Sequence, residues 1–391
     1  MKLRKLNNII SSKINRSSVL ALINQHPLIS RAQLAQMLGF DRSTITHILN
    51  FLLKEGLVEE VKKGEAGSRG GRCPILLQIR YDTKFILAIE VDTKKIEGIL
   101  TNLKGEEVFR LQKNIRRGEP LLNILTTLID EFSKKAKKEF QRVAVIGISC
   151  PGVINSDKGI VCFNSFHNWR DIEVAETLIK KYSKPAFIEN DANSAGMGEL
   201  QQFFSDGINS LVYLFIRESP PESEYLLGVG GAIIINGKLW QGANYFAGEV
   251  AHTVNSLFQK VVVRRLQEGK NKDAKEGKMT LSYLLNLATM NDETSTEIID
   301  EIADNLGKLF SEIVAFLDPE GIMIYIHPPQ NKNDFLIRIQ KKFNQHLSPM
   351  RDSPSHFLYP RLGSRATLQG LIALAQEKIF VRDSVHKSLL F

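Results

Sequence analysis

The stretch SRAQLAQMLGFDRSTITHILNFLLK, residues 30–54, determines how the N-terminal part of this chain folds. Ser30 and Gln33 have the spacing of a capping pair, so a helix is predicted to begin after Ser30. Gly39 suits the left-handed backbone that ends many helices, and Asp41 can cap a following helix. That helix is predicted to run to about Lys54. Its apolar residues recur at helical intervals, at Ile45, Ile48, Leu49 and Leu52.

A further helix is predicted upstream, over residues 17–25, and His26-Pro27 ends it because proline cannot continue a helix. Three short helices with a glycine turn between the second and third form a helix-turn-helix. The outer face of the third helix carries hydrogen-bonding side chains, as a DNA major groove requires. These candidates for DNA contact are Arg42, Ser43, Thr44, Thr46, His47 and Asn50. An ordinary solvated helix face would have a similar composition.

A β-ribbon is predicted next, with strands at residues 57–61 and 74–79 joined by a basic, glycine-rich loop at 62–72. Such a ribbon is the wing of a winged helix-turn-helix. Its glycines allow an extended backbone to enter a narrow minor groove, whose negative potential attracts arginine. Arg69, Gly71 and Arg72 are therefore candidate DNA contacts, although a flexible hairpin loop would look similar.

The net charge of +8 lies entirely in this N-terminal part. Residues 1–80 contain 13 of the 51 Lys and Arg residues but only 5 of the 43 Asp and Glu residues, so residues 81–391 are neutral. A basic segment is typical of proteins that bind the phosphate backbone of nucleic acids, although a basic tail also aids solubility. With the helix and the wing, the charge predicts that residues 1–80 bind a double-stranded DNA operator.

Composition excludes several other classes of protein. The longest apolar runs fall short of the ~18 residues that a membrane span needs, and the basic N-terminus does not resemble a secretory signal. The three cysteines, Cys73, Cys150 and Cys162, lack CxxC spacing, so neither a disulfide framework nor a zinc site is expected. A cytoplasmic protein without membrane association is predicted.

Residues 81–391 have an α/β pattern that occurs twice, which predicts lobes at about 81–205 and 206–391 with a ligand cleft between them. Strands are predicted at residues 85–91, 96–102, 107–115, 143–149, 186–189, 211–216, 232–235 and 321–326. Helices are predicted at 121–140, 171–181, 193–204 and 366–380, and within 281–317. Residues 228–231, Gly-Val-Gly-Gly, are predicted to form a glycine loop.

Polar residues near the ends of these strands suit a polyol. Asn190 can donate and accept hydrogen bonds and Asp191 can accept them, and Glu249 and His252 could face the same ligand from the other side. Each residue also has a structural interpretation: Asp191 and Asn193 could cap a helix, and His252 could be a structural histidine.

Several motifs together resemble those of the ROK family (repressors, open reading frames and sugar kinases), in particular its repressor branch. They are residues 71–74 (Gly-Arg-Cys-Pro), residues 147–155 with Pro151-Gly152, residues 189–193 (Glu-Asn-Asp-Ala-Asn) with Glu199, residues 242–244 (Gly-Ala-Asn) and residues 247–252 (Ala-Gly-Glu-Val-Ala-His). The resemblance implies an actin-like, ribonuclease-H-like two-lobed domain after the winged helix-turn-helix, and a homodimer or tetramer. It also implies a sugar site, formed by Gly152, Asn190, Asp191, Glu249 and His252.

Three departures from the family pattern bear on function. Residues 90–94, Glu-Val-Asp-Thr-Lys, replace the Asp-x-Gly-Gly-Thr loop of the kinases, so the phosphate-binding glycines are gone and Asp92 adds a negative charge. The glycines at 228–231 keep only part of the second nucleotide loop, and the preceding residues 217–225 look like an altered or inserted loop. No cysteine follows Cys162, so the zinc cluster that the family places beside the histidine of its second sugar motif cannot form.

The prediction is therefore a repressor of carbohydrate genes with no ATP or zinc cofactor, modulated by a sugar in the cleft; the family resemblance implies xylose or another plant-derived sugar. Two alternatives stay open. One is an active sugar kinase with a DNA-binding head, and the other is a DNA-binding protein whose degenerate core senses nothing.

Overall fold

The computed structural model describes residues 2–63, 73–219, 227–267, 280–327, 332–347 and 356–380. Its N-terminal part combines three helices with a small antiparallel sheet, in which the third strand lies between the other two. The elements are α1 (Lys2–Gln25), β1 (Ile29–Ser30), α2 (Arg31–Leu38), α3 (Arg42–Lys54), β2 (Val58–Lys63) and β3 (Ile75–Ile79).

The predicted caps of α2 and α3 are confirmed. The Ser30 hydroxyl accepts from the Gln33 backbone N–H, and the Gln33 side chain accepts from the Ser30 backbone N–H at 2.9 Å. Gly39 is left-handed with φ 64°, and Asp41 accepts from the Thr44 N–H at 2.7 Å. The pairing of β1 with β3 was not predicted, and α1 begins at Lys2 rather than residue 17. The wing candidates Arg69, Gly71 and Arg72 lie outside the described residues.

The next part of the chain is built on a five-stranded sheet of order β11-β7-β4-β5-β6. Its strands β11, β7 and β4 are parallel, and β5 and β6 are antiparallel to their neighbours. The elements are β4 (Phe85–Val91), β5 (Lys95–Asn102), β6 (Glu107–Asn114), α4 (Leu121–Lys135), α5 (Lys137–Gln141), β7 (Val143–Cys150), β8 (Val153–Asn155), β9 (Ile160–Asn164), β10 (Trp169–Glu173), α6 (Val174–Tyr182), β11 (Ala186–Asn190) and α7 (Asp191–Gln201). Strands β8, β9 and β10 form a separate small sheet.

The second half repeats this plan. Its sheet has the order β14-β13-β12-β15-β16, with β12, β15 and β16 parallel and β13 and β14 antiparallel. The elements are β12 (Leu211–Glu218), β13 (Leu227–Ile235), β14 (Lys238–Leu239), α8 (Ala251–Gln267), α9 (Leu281–Thr289), α10 (Glu293–Leu317), β15 (Gly321–His327), α11 (Lys332–His346), β16 (His356–Leu358) and α12 (Ala366–Phe380). The predicted duplication of an α/β unit is confirmed.

Three predicted elements were wrong. The single helix predicted over 121–140 is broken at Ala136, whose backbone (φ −118°, ψ 48°) is not helical. The helix predicted from residue 171 begins at Val174, because residues 169–173 pair with β9 as a strand. Residues 228–231 lie inside β13 rather than in a loop, since they pair with β12. In the last two cases, strand pairing overrode the local sequence signal.

Helices α7 and α12 pack against each other, backbone to backbone. A Cβ atom on Gly370 would lie 1.6 Å from the Ser194 carbonyl oxygen, and one on Gly198 would lie 2.3 Å from that of Ala366. Helix α12 also contacts β4, β7 and α1. One buried apolar cluster accordingly runs from α1, through Leu371 and Ile379 of α12, to both large sheets. The boundaries at residues 80 and 205 stay predictions.

Within the described ranges, every helix is too short or too polar to span a membrane.

Candidate functional site

The outward face of α3 is the first candidate site. Ile45, Ile48, Leu49 and Leu52 are buried, whereas Arg42, Ser43, Thr46, His47 and Asn50 are exposed and Thr44 is half-buried. The structure therefore separates the apolar and polar residues of this helix onto the two faces that the sequence predicts.

The short side chains on this face are engaged in the helix itself. The hydroxyls of Ser43 and Thr44 donate to the Asp41 carboxylate at 2.6 and 2.9 Å. These bonds, with the backbone N–H of Thr44, lower the pKa of Asp41 to about 2. The Thr46 hydroxyl donates to the Arg42 carbonyl at 2.8 Å. The longer side chains of Arg42, His47 and Asn50 are exposed on the same face.

The second candidate site lies where β11 leads into α7. Asn190 is the N-cap of α7, because its side-chain oxygen accepts from the N–H groups of Ala192 and Asn193 at 2.8 and 3.1 Å. Its amide donates to the Gly152 carbonyl at 2.9 Å, which ties α7 to the loop after β7. Gly152 has φ 112°, and a Cβ there would lie 2.3 Å from the Phe163 carbonyl oxygen. The structure thus brings Gly152, Asn190 and Asp191 together, and it uses the Asn190 side chain to hold them.

The buried carboxylate of Glu189 stabilises this arrangement through hydrogen bonds. Glu189 accepts from the Asn190 N–H and the Asn193 amide through one oxygen, at 2.8 and 2.9 Å. Its other oxygen accepts from the Gln241 amide at 2.7 Å, and burial raises the pKa of Glu189. Gln241 also donates to the Ser156 hydroxyl at 2.7 Å. Because Gln241 follows β14, this side chain links the two lobes beside the candidate site.

A second link between the lobes lies close by. The Tyr245 hydroxyl donates to the Asp157 carboxylate at 2.7 Å, and Tyr245 has a left-handed backbone with φ 58°. Neither Gln241 nor Tyr245 was predicted from the sequence to contribute to the site. Their only sequence signal was their position next to the Gly-Ala-Asn motif.

Asp191, the first residue of α7, faces a cavity between the lobes. Its carboxylate lies 3.8 Å from Arg217, whose guanidinium also lies 2.6 Å from the Asp92 carboxylate. Burial raises the pKa of Asp191, and the charge of Arg217 opposes this rise. Residue 217 was predicted to begin an altered or inserted loop; instead Arg217 lies within β12, and residues 220–226 fall outside the described ranges.

Glu249 approaches from the second lobe. A Cβ on the preceding Gly248 (φ 86°) would lie 2.2 Å from the Gly231 carbonyl oxygen, so these two glycines set the path of the loop. Burial, together with the charge of Asp191, raises the pKa of Glu249 to about 7. His252 lies at the start of α8, and its side chain is exposed.

Glu199, near the end of α7, has a structural environment. It is fully buried and accepts from the backbone N–H groups of Arg361, Leu362 and Gly363 at 2.8–3.0 Å. Its carboxylate therefore holds the loop that leads into α12 against α7.

Comparison with known protein families identifies both parts of this architecture. The ROK family profile matches residues 86–262 and 259–378. The chain belongs to the ROK family. A profile for winged helix-turn-helix DNA-binding domains matches residues 14–59. The xylose repressor of Caldicellulosiruptor bescii is 27% identical in an alignment that covers 94% of this chain and 96% of that protein.

Solved structures of ROK proteins share the fold. A ROK family transcriptional regulator, described as a homologue of the E. coli MLC protein, has a TM-score of 0.77 at 23% identity, covering 94% of this chain and 97% of its own. A ROK family glucokinase from Streptomyces griseus, solved with glucose and AMPPNP, has a TM-score of 0.55 at 17% identity, covering 74% and 98%. The predicted fold, a winged helix-turn-helix followed by an actin-like two-lobed ROK domain, is confirmed.

The glycines of β13 are structural in this ROK chain. A Cβ on Gly230 would lie 2.8 Å from the Cβ of Ala192, and one on Gly228 would lie 3.0 Å from the Arg217 side chain. These glycines let β13 approach α7 and make room for Arg217. Among the described residues, no group of three or more His, Cys, Asp or Glu side chains could hold a metal ion.

Proposed function

We propose that this ROK protein is a sequence-specific DNA-binding repressor of carbohydrate-utilisation genes, modulated by a sugar in the cleft between its lobes. The observation that carries this proposal is the exposed polar face of α3 within a winged helix-turn-helix. Because the Caldicellulosiruptor bescii relative is named a xylose repressor, D-xylose is the first sugar to test.

On the DNA, Arg42, His47 and Asn50 would contact base edges in the major groove. The wing residues Arg69 and Arg72, with Gly71 shaping the backbone, would enter the adjacent minor groove. A cytoplasmic homodimer, or a tetramer of two such dimers, would place two α3 helices in successive major grooves of a palindromic operator.

In the cleft, the carboxylates of Asp191 and Glu249 would accept hydrogen bonds from adjacent sugar hydroxyls. Asn190 and Gly152 would shape the floor of the site, and His252 would lie at its rim. A sugar can change DNA affinity only by binding two arrangements of the protein with different affinities. The hydrogen bonds of Gln241 and Tyr245 between the lobes are candidates for contacts that differ between such arrangements.

We further propose that the body transfers no phosphoryl group and needs neither ATP nor zinc. Residues 90–94 lack the glycines that let a backbone cradle phosphates, and Asp92 would repel them. The alternative, a sugar kinase with a DNA-binding head, predicts robust ATP-dependent turnover on a monosaccharide panel. Such turnover would contradict this part of the proposal.

Asp191→Ala tests the sugar site. Fluorescence anisotropy would measure binding to DNA from the region upstream of the protein's own gene, with and without D-xylose or another panel sugar. We expect DNA affinity to be retained and the sugar response to be lost, because the variant lacks an acceptor for a sugar hydroxyl. Asp304→Ala, which removes an ion-paired carboxylate between α10 and α11, is the control and should respond normally. A normal response of Asp191→Ala would show that the site lies elsewhere.

A further inference from the structure

Arg217 extends from β12 of the second lobe to carboxylates on two other elements. Its Nη1 lies 2.6 Å from Asp92, just after β4, and its Nη2 lies 3.8 Å from Asp191 at the start of α7. The side chain is 19% exposed. A long cation held this far out of water needs a reason, because ordering and desolvating an arginine are both costly.

The surrounding backbone makes room for this side chain. Gly228, the partner of Arg217 across the β12–β13 ladder, has no side chain, and a Cβ there would lie 3.0 Å from Cγ and 3.1 Å from Nε of Arg217. A side chain at position 228 would therefore be in tight contact with Arg217 and would force its side chain to shift. Local geometry therefore holds Arg217 over the two carboxylates.

The cleft has an excess of carboxyl groups that this cation offsets. Glu90 and Asp92 line the same cavity as Asp191, and the charge of Asp191 reaches Glu249 as well. Burial and the Asp92 charge raise the pKa of Glu90 to about 7. Without Arg217, Asp191 would face these groups without the largest contribution that favours its ionised form, and the Ala192 backbone N–H would remain as a hydrogen-bond donor.

We propose that Arg217 is a positioning residue for the sugar site, and that it keeps the Asp191 carboxylate ionised and oriented to accept a hydrogen bond from a sugar hydroxyl. The inference rests on the proposed function, since it assigns Asp191 to the ligand. Arg217 acts through Asp191 and Asp92 and does not itself touch the sugar.

Other titratable groups surround Asp191 and are part of its environment. The acids are Glu90 on β4, Glu189 on β11 and Glu249 before α8; the bases are Lys95 on β5 and His327 on β15; and the groups neutral at pH 7 are Cys150, Tyr213 and Tyr325. A test must therefore compare a variant with the wild-type protein at each pH, because these groups are common to both.

Unfolding of the sugar-free full chain is the first test. Arg217→Met leaves Asp92 and Asp191 without their cation, so the folded-state pKa of Asp191, which burial already raises, rises further above its unfolded value. Such carboxyls favour the folded state at low pH, and that contribution is lost as they ionise. We expect the Tm of the variant to fall relative to wild type between pH 5.5 and pH 8, by at least about 3 °C. The double variant Arg217→Met/Asp92→Asn should recover part of this decrease in Tm, because one of the two uncompensated carboxyls is removed.

Arg338→Met is the matched control. Arg338 also bridges two carboxylates, those of Asp300 and Asp334 at 2.7 and 2.8 Å, but these lie on the surface of α10 and α11. The Tm of Arg338→Met should differ from that of the wild-type protein by the same amount at pH 5.5 and at pH 8. An equally flat profile for Arg217→Met would overturn the charge compensation.

Calorimetry with D-xylose and a monosaccharide panel at pH 6 and pH 8 tests the role in ligand binding. Relative to wild type, we expect Arg217→Met to bind at least about tenfold more weakly at pH 6, with part of the loss recovered at pH 8 as Asp191 ionises. Arg217→Lys keeps the positive charge, so its affinity for the sugar should stay within about threefold of the wild-type value. This variant keeps the test decisive if Arg217→Met does not fold. Wild-type affinity in Arg217→Met, or an equal loss at both pH values, would overturn the inference.

The two proposals fail differently. If the wild-type protein binds no sugar of the panel, the proposed function fails and the ligand role of Arg217 fails with it. If the wild-type protein binds sugar and Arg217→Met binds it equally well, only the role of Arg217 is overturned.

Discussion

Helices α3 and α7 begin alike in sequence and are used in opposite ways. Both follow a capping residue, Asp41 or Asn190, and both carry several short polar side chains in the first turn. In α3 these side chains lie at the surface, and the longer ones beyond them face solvent. In α7 every residue from Ala192 to Leu200 is buried; Asn193 donates to Glu189 on β11, and Glu199 accepts from backbone N–H groups before α12. The same local signal thus yields an exposed polar surface in one place and an internal scaffold in the other.

The largest expected effect is on the scaffold. Glu199→Ala removes a fully buried carboxylate that accepts from three backbone N–H groups, so the free energy of unfolding should fall by about 3 kcal/mol or more. Urea unfolding would measure the change. Glu199→Gln keeps the shape and one acceptor oxygen and should lose less. A loss below ~1 kcal/mol for the alanine variant would mean that α7 is not the scaffold described.

A pair of asparagines compares the two helices directly. Asn50→Ala on α3 should weaken DNA binding by about 1–3 kcal/mol, because a base contact is lost, and should change stability by less than ~0.5 kcal/mol. Asn193→Ala on α7 removes the amide that donates to Glu189 and should cost about 1–2 kcal/mol of stability with DNA affinity unchanged. Fluorescence anisotropy would measure the DNA affinity of each variant, and urea unfolding would measure its free energy of unfolding. If both variants changed the same property, the distinction between the two helices would be wrong.

The smallest effect concerns pH. Since the folded-state pKa of Glu249 is raised to about 7, above its ordinary value, the folded protein holds a proton that the unfolded chain has released. The resulting stability is present at pH 5 and is lost as the pH rises through 7. A shift of this size corresponds to about 3 kcal/mol, and because Glu249 is only partly buried, solvent screening reduces the expected loss to about 1 kcal/mol. Glu249→Gln should flatten this decline only in part, because Glu90 titrates in the same range. An unchanged slope would show that Glu249 is not buried as described.

Much of the N-terminal part, from α1 to β3, could be predicted from local signals, because caps, turns and helical periodicity each depend on a few neighbouring residues. Ser30, Gly39 and Asp41 occupy the predicted capping positions. The strand β1 could not be predicted, since two residues carry no periodicity and their pairing with β3 depends on distant chain.

The cleft was harder to predict because its contacts join residues far apart in sequence. The motif residues Gly152, Asn190 and Asp191 do meet, but nothing in the sequence indicated that the Asn190 side chain would be used to hold the backbone. Arg217 meets Asp92, 125 positions away, and Gln241 meets Glu189, 52 positions away. The glycines of β13 suggested a loop, because a glycine needed for close approach resembles one needed for a turn.

The seam between α7 and α12 has a mechanical consequence. Gly370 and Gly198 place bare backbone against bare backbone there, so no side chain can change rotamer to absorb a relative displacement. The N-terminal end of α7 carries Asp191, and α12 also packs on α1 of the winged helix-turn-helix. Because the two backbones are in direct contact, a displacement of the α7 end that carries Asp191 would also displace α12, and with it the surface that α12 presents to α1.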